Sequence, residues 1–215
     1  MKKVFVVGPS IDYASWIEDK IIIDNQENAD IVMFTGGCDI NPRLYNCKKH
    51  ATTWYNNDRD AREVKAFYQV KPNQLCIGTC RGAQLFTALL GGKLVQDVSG
   101  HEGTYHSLKL ASNKFGNLLP EETFVTSIHH QMMYPYEINP AHYDILYTSK
   151  NRISQYYLGD GVDQNIVIEK GEPELILYHL PNTPICLGIQ GHPEMMEVTD
   201  SFVVALNNLI NILLK

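Results

Sequence analysis

CIGTCRGAQLF, residues 76–86, joins the end of one apolar run to the start of another and places a cysteine between two glycines at the join. Gly78 and Gly82 each stand two residues from Cys80. This is the spacing of the G-x-S-x-G turn with sulfur in place of oxygen, in which the chain leaves a buried strand, bends sharply and enters a helix. Residues flanking so tight a bend must lack bulk, which accounts for both glycines. The helix expected over residues 81–90 closes at Gly91-Gly92, a good C-terminal stop.

Outward from this turn, apolar bursts at residues 4–7, 21–23, 31–34 and 75–78 do not alternate with polar residues. Strands buried on both faces of a parallel sheet read this way. Between the third and fourth bursts, DRDAREVKAFYQV spaces Ala61, Val64, Ala66, Phe67 and Tyr68 as an approximately helical apolar set, ended by Pro72. Strand, helix, strand, helix predicts an α/β fold with right-handed crossovers. Beyond Leu94, the pieces YHSLKL, TFVTSIHH, YDILYTS, NIVIEK and ELILYHL are separated by Gly, Pro and Asn and read as short strands. ICLGIQ supplies a last strand running into GHPE. Residues 200–214 close the chain as an amphipathic helix with Phe202, Val203, Leu206, Leu209, Ile210 and Leu213 inward. The expected architecture is one flavodoxin-like three-layer α/β domain over residues 1–215, a central mostly parallel sheet flanked by helices, with antiparallel strands added in the C-terminal half.

The 215 residues are 44% hydrophobic and 20% charged, which suffices for a packed core. A net charge of −6 argues against nucleic acid as a partner, because phosphate binding needs clustered Lys and Arg. Cys38, Cys47, Cys76, Cys80 and Cys186 form no C-x-x-C pair, so they suggest neither a disulfide framework nor a zinc knuckle and fit reduced thiols in the cytoplasm. No apolar stretch reaches the roughly 20 residues of a membrane span. MKKVFVVGPS breaks at Gly8-Pro9 and reads as a first strand rather than a signal peptide.

A thiol at the N-terminus of a helix is favoured as thiolate, since the unsatisfied N–H groups there stabilise negative charge. The Arg81 amide that follows Cys80 is placed to donate to a developing oxyanion. Alone, a G-x-C-x-G turn is equally well explained by a structural cysteine. A thiolate mechanism further needs a base held by a third group, and GIQGHPE offers His192 and Glu194 directly after an apolar strand. In FTGGCDINPRLY, Gly36-Gly37 follow the buried strand at residues 31–34, and glycines there let backbone amides approach a ligand closely. Cys38 has no histidine or acid spaced to serve it and is expected to be a bystander.

Together these segments resemble the class I glutamine amidotransferase-like superfamily, and most closely its gamma-glutamyl hydrolase branch. TGGCDINPRLY resembles the oxyanion loop, DRDAREVKAF the R-D-x-x-E helix, GTCRGAQLF the nucleophile elbow including Gln84, GGKLVQD the segment after the elbow helix, SIHHQ a pocket segment, and GIQGHPE the base with its orienter. The resemblance implies a catalytic triad of Cys80, His192 and Glu194, and an oxyanion hole from the amides of Gly37 and Arg81. It also implies a substrate pocket drawing on Gly36, Gln84, His129 and Gln131. The implied activity is hydrolysis of gamma-glutamyl amide or peptide bonds, or of glutamine, through a glutamyl thioester, with no metal and no organic cofactor. Two further readings stay open: a glutaminase subunit passing ammonia to a synthetase or ligase on another chain, and a catalytically silent module that binds a glutamyl ligand.

The chain departs from the pattern at Gly191, where relatives often carry an aromatic residue and a glycine is expected to open the pocket wall, and over residues 147–171, which match nothing expected. The histidines at 101, 106, 129 and 130 do not suggest a metal site from their spacing, because His101 and His106 are five apart and neighbours such as His129 and His130 would point to opposite faces of a strand. Asp97 and Glu102 are candidates for the substrate amino group. The tyrosines at 134, 136, 143, 147, 156 and 157 read mostly as half-buried sheet residues, with a pocket rim as the alternative role.

Overall fold

The computed structural model describes the chain from residue 1 to 215, the side chain of Thr104 excepted. In chain order the elements are β1 (Lys2–Val7), β2 (Lys20–Ile22), β3 (Ile31–Phe34), α1 (Asn57–Tyr68), β4 (Leu75–Thr79), α2 (Arg81–Leu89), β5 (Lys93–Val95), β6 (Asp97–Val98) and β7 (Glu102–Leu110). Then follow β8 (Glu122–Ile128), β9 (Met132–Tyr134), β10 (Tyr143–Ser149), β11 (Tyr157–Leu158), α3 (Gln164–Lys170), β12 (Pro173–Tyr178), β13 (Ile185–Ile189) and α4 (Ser201–Leu213). Nine strands form one sheet in the order β2-β1-β3-β4-β13-β12-β10-β7-β8. The run from β2 to β13 is parallel, and the strands from β12 to β8 continue it antiparallel. Two small ribbons, β5 with β9 and β6 with β11, lie beside it.

The layering explains why β4 carries no alternation. Leu75 and Ile77 pack with Phe202, Leu206 and Leu209 of α4, while Cys76 packs on the other face with Phe67 of α1 and with Leu85 and Phe86 of α2. With a helix layer on each side, every position of β3 and β4 is buried. β1 and β2 are only partly covered, since β2 lies at the sheet edge.

Three details differ from the sequence reading. First, the residues of α1 that are buried are Asp60, Glu63 and Phe67, whereas Ala61 and Tyr68 are exposed. The helix turns two carboxylates inward because a buried arginine lies beneath it. Second, NIVIEK belongs to α3 and not to a strand. The Asp163 side chain accepts the Asn165 N–H at the start of that helix, and Gly171 ends it at φ 85°, so local capping overrides the β-branched composition. Only Val167 of this helix is buried. Third, Gly191 opens no wall: a Cβ there would overlap Val125 Cγ2 and lie 2.7 Å from the Thr126 carbonyl oxygen of β8.

The segment that departs from the family pattern is tied down by one acid. Glu172, 1% exposed, accepts hydrogen bonds from Ser149 Oγ (2.7 Å), Ser154 N (2.8 Å), Tyr157 Oη (2.8 Å) and the Ile153 amide. Among the named tyrosines, 134, 143, 147 and 157 are buried and Tyr156 is exposed.

A Cβ added to Gly82 would overlap the Phe34 carbonyl oxygen of the neighbouring strand, whereas one added to Gly91 meets open space and only the strain of φ 97°. Gly82→Ala is therefore expected to cost about 3 kcal/mol of stability and Gly91→Ala about 1 kcal/mol, measured by urea unfolding of both variants.

Candidate active site

Three adjacent parallel strands deliver the site. Phe34 of β3 pairs with Gly78 of β4, and Thr79 of β4 pairs with Ile189 of β13, so the chain leaves all three strands at the same edge of the sheet. Residues just past those ends are Gly36-Gly37, Cys80 and His192. A sheet of this kind binds ligands at the carboxyl ends of its strands.

The turn at Cys80 has the strained geometry its glycines suggest. The Cys80 backbone sits at φ 49°, ψ −105°, and its N–H donates to the Ile189 carbonyl at 2.7 Å, tying β4 to β13 where both end. Such a conformation costs on the order of 1–3 kcal/mol for a non-glycine residue and persists only where its surroundings enforce it. A Cβ at Gly78 would fall 2.5 Å from the Gly82 carbonyl carbon, so strand end and helix start touch backbone to backbone. The Cys80 side chain lies within that enclosure, 6% exposed, and lines a pocket of about 170 Å³. That volume suits the head of a small polar molecule, since drug-sized ligands take roughly 300–1,000 Å³. As the first residue of α2, Arg81 has an amide with no carbonyl one turn back to bond.

His192 approaches from β13. Its N–H donates to Thr126 O of β8 at 2.9 Å, and its Nδ1 lies 2.6 Å from Glu194 Oε1. Pro193 between them starts a short 3₁₀ turn that brings the carboxylate back onto the ring. Nε2 is buried and makes no hydrogen bond of regular geometry, which leaves it for the thiol. Burial pulls the His192 pKa down, but hydrogen bonding and charge interaction with Cys80 and Glu194 outweigh it and bring the value up to about 10. The imidazole is thus held protonated through the neutral range beside the Cys80 sulfur.

A buried ion network braces these parts. The Arg81 guanidinium, fully buried, pairs with Asp60 and Glu63 of α1. Glu63 also accepts from Arg59 Nε at 2.6 Å, and Arg59 Nη2 donates to Gly36 O at 2.7 Å and Thr35 Oγ1 at 3.1 Å. One continuous chain of charge-assisted bonds therefore links the residue after the cysteine to the Gly36-Gly37 loop. Burial pushes the Asp60 carboxyl up in spite of the Arg81 charge beside it. Gly37 stands at φ 139°, and a Cβ there would overlap Arg59 Nη1.

Gly37, Cys80, Gln84, His129 and Gln131 all line the pocket, joined by Cys38, Asp39, Trp54, Ile128 and His130. Gln84 Nε2 donates to the Gln131 carbonyl at 2.9 Å. Gln131 Nε2 donates to Thr53 Oγ1 at 3.1 Å, while its Oε1 is buried without a partner. Burial, then the charges of His101 and His106, push the His129 pKa well down, so this ring is neutral. His129 and His130 lie past the end of β8 rather than on a strand. His130 bonds Asp39 at 3.0 Å and faces Asp97 at 3.8 Å, so those two acids are already engaged; Glu102 is exposed. The sequence reading did not name Tyr13, Asp39, Trp54 or Arg59. Tyr13 packs its ring 6.3 Å from that of His192, and its pKa is raised by burial and then by Glu194. Nothing in its sequence context marks it; Arg59 had a signal, in the R-D-x-x-E helix.

Comparison with known proteins fits this geometry. A family model described as Peptidase C26 matches residues 15–137, more than half of the chain, including Gly36-Gly37, the R-D-x-x-E helix and the Cys80 elbow. The chain belongs to the Peptidase C26 family. Relatives of this Peptidase C26 chain include a glutamine amidotransferase-like protein of Lactococcus lactis subsp. cremoris, a YvdE homologue, 30% identical over 133 residues that cover 52% of this chain and 71% of the relative. Protein NtpR of Enterococcus hirae is 31% identical over 124 residues, covering 50% of this chain and 52% of that protein. The chain thus spans only about half the length of some relatives. Among solved structures, a glutamine amidotransferase of Thermotoga maritima matches with a TM-score of 0.62 at 13% identity, covering 100% of this chain and 98% of that one. A Thermoplasma acidophilum protein described as a GMP synthase subunit matches at 0.60 and 20% identity, covering 99% and 94%. At such identities these two speak for the fold.

Removing the Arg81 charge strands two buried carboxylates. Arg81→Met is expected to destabilise the chain by about 3–5 kcal/mol in chemical denaturation. His192→Gln removes the imidazolium beside Cys80, and alkylation of that thiol by iodoacetamide at pH 7 is expected to slow at least about tenfold, followed by peptide mass spectrometry.

Proposed function

We propose that the chain is a cysteine-dependent hydrolase of gamma-glutamyl amide bonds, glutamine included, working through a glutamyl thioester. The observation that carries this reading is His192, held by Glu194 at 2.6 Å through Nδ1 and raised in basicity by the Cys80 thiol at the strained start of a helix. Membership of Peptidase C26 supports hydrolase or amidotransferase chemistry in general.

In this mechanism the Cys80 thiolate attacks the side-chain amide carbon, and the carbonyl pair moves onto oxygen. The amides of Gly37 and Arg81 receive that oxyanion. Arg59 prepares the first of them: it holds the Gly36 carbonyl at 2.7 Å, and in a trans peptide the Gly37 N–H points the opposite way from that carbonyl. Collapse of the intermediate breaks the C–N bond, and the His192 imidazolium gives its proton to the departing amine or ammonia. A water molecule then attacks the thioester, losing a proton to His192, and glutamate leaves as the sulfur is released. Gln84, His129 and Gln131 form the glutamyl pocket, with Gly36 outside its lining, and the unpartnered Gln131 Oε1 offers an acceptor for the substrate's ammonium group.

Incubation with a glutamine-mimicking electrophile is expected to label Cys80, as read by mass spectrometry of the intact chain and its peptides. Labelling confined to Cys38, Cys47, Cys76 or Cys186 would overturn the assignment. Hydrolysis by the isolated chain is expected to vanish in Cys80→Ala; activity on glutamine that emerges only when a ligase is added would instead favour a glutaminase subunit. Because the folded pKa of His192 lies at about 10, the proton needed by the leaving group is lost above that value. The rate of acylation should fall along an alkaline limb centred near pH 10, and Glu194→Gln should move that limb to lower pH.

A further inference from the structure

Behind the pocket wall lies a second cluster. His101, at the entry to β7, is 0% exposed; His129, after β8, is 5% exposed; Glu174, in β12, is 1% exposed. One donor atom from each lies within 4.8 Å of the others. The sequence spacing pointed away from this site because it compared neighbours along the chain, whereas the fold pairs residues from separate segments. The β7–β8 register slips by one residue just after Glu102, which turns His101 and His106 to the same side despite their odd separation, with ring centroids 5.2 Å apart.

Several polar atoms in this cluster are buried without a hydrogen-bond partner: both ring nitrogens of His129, Glu174 Oε2 and His106 Nδ1. Buried polar groups in folded proteins are otherwise paired, so each of these calls for a partner. The backbone holds the rings in place, with the His129 N–H donating to the His101 carbonyl at 3.1 Å and Ser127 Oγ donating to the same oxygen at 2.9 Å. His101 also has an outer partner. Its Nδ1 faces Glu174 Oε1 at 3.7 Å while its Nε2 faces the Glu172 carboxylate at 3.4 Å. A carboxylate behind an imidazole is the arrangement that orients metal-binding histidines.

We propose that His101, His129 and Glu174 bind one divalent transition-metal ion, with Zn²⁺ the best match to two imidazoles and a carboxylate, in a site that shares His129 with the wall of the Cys80 pocket. Bonds of about 2.0–2.1 Å around such an ion set its ligand atoms about 3.3 Å apart, so the His101 and His129 rings, now stacked with centroids 4.5 Å apart, turn their nitrogens together to close the cage. His106 stands beside it, its Nε2 3.0 Å from Glu174 Oε1. The ion takes no part in thiolate chemistry. It fixes the His129 ring, which also lines the Cys80 pocket. The proposal does not depend on the reaction assigned to Cys80.

The test is metal binding by the full chain after dialysis against a chelator. Titration with Zn²⁺ against a chromogenic competitor is expected to show one tight equivalent. Co²⁺ in its place should give a visible ligand-field spectrum without the near-ultraviolet thiolate charge-transfer band. His101→Gln and Glu174→Gln, with folding checked by circular dichroism, should each weaken binding at least about a hundredfold, and Glu172→Gln about tenfold. Absence of a stoichiometric site at micromolar metal would overturn the proposal. So would a thiolate band, or binding abolished by Cys80→Ala, since either places the ion on the catalytic thiol. Should a variant fail to fold, the Co²⁺ spectrum of the unaltered chain decides.

Discussion

The structure turns on a steric constraint: strand β4 and helix α2 meet so closely at Gly78 and Gly82 that only a left-handed twist at Cys80 can join them. A residue forced into that conformation gains nothing locally, so its neighbours must hold it. The Cys80 amide is tied to β13, and the next residue is anchored through a guanidinium with no exposure to solvent. The strain aims the sulfur out of the sheet edge and places it at the positive end of a helix.

The anchor has a second consequence. Arg81, Glu63 and Arg59 form a relay of ion pairs that ends on the Gly36 carbonyl, so the elbow and the glycine loop are positioned by one network rather than two. A buried ion set of this kind is weak evidence for stability, because desolvation offsets much of the attraction. Its value is geometric. Planar guanidinium forks fix direction, and Asp60 and Glu63 of α1 are turned inward beside Phe67.

Much of this was readable beforehand, for reasons that differ by residue. The non-alternating runs of β3 and β4 and the G-x-C-x-G spacing reflect constraints that act within a few residues: burial on both faces, and a bend that admits no side chain. The apolar set of α1 was only partly buried: Val64, Ala66 and Phe67 pack on the core, while the burial of Asp60 and Glu63 is decided by Arg81 beneath them, which no spacing within the helix shows. NIVIEK was misread because β-branched propensity is weak against a capping aspartate and a terminal glycine. Gly191 is small to let β8 approach, a contact between segments far apart in the chain.

The amino-acid sequence by itself determined the three-layer α/β class, the cysteine turn and the histidine with its acid, because each is a short-range pattern whose physical cause lies in adjacent residues. Tertiary structure alone decided that β13 lies beside β4, bringing His192 to Cys80, and that His101, His129 and Glu174 converge. Strand order and the one-residue slip in β7 are settled by packing across the whole sheet, and no local spacing encodes them.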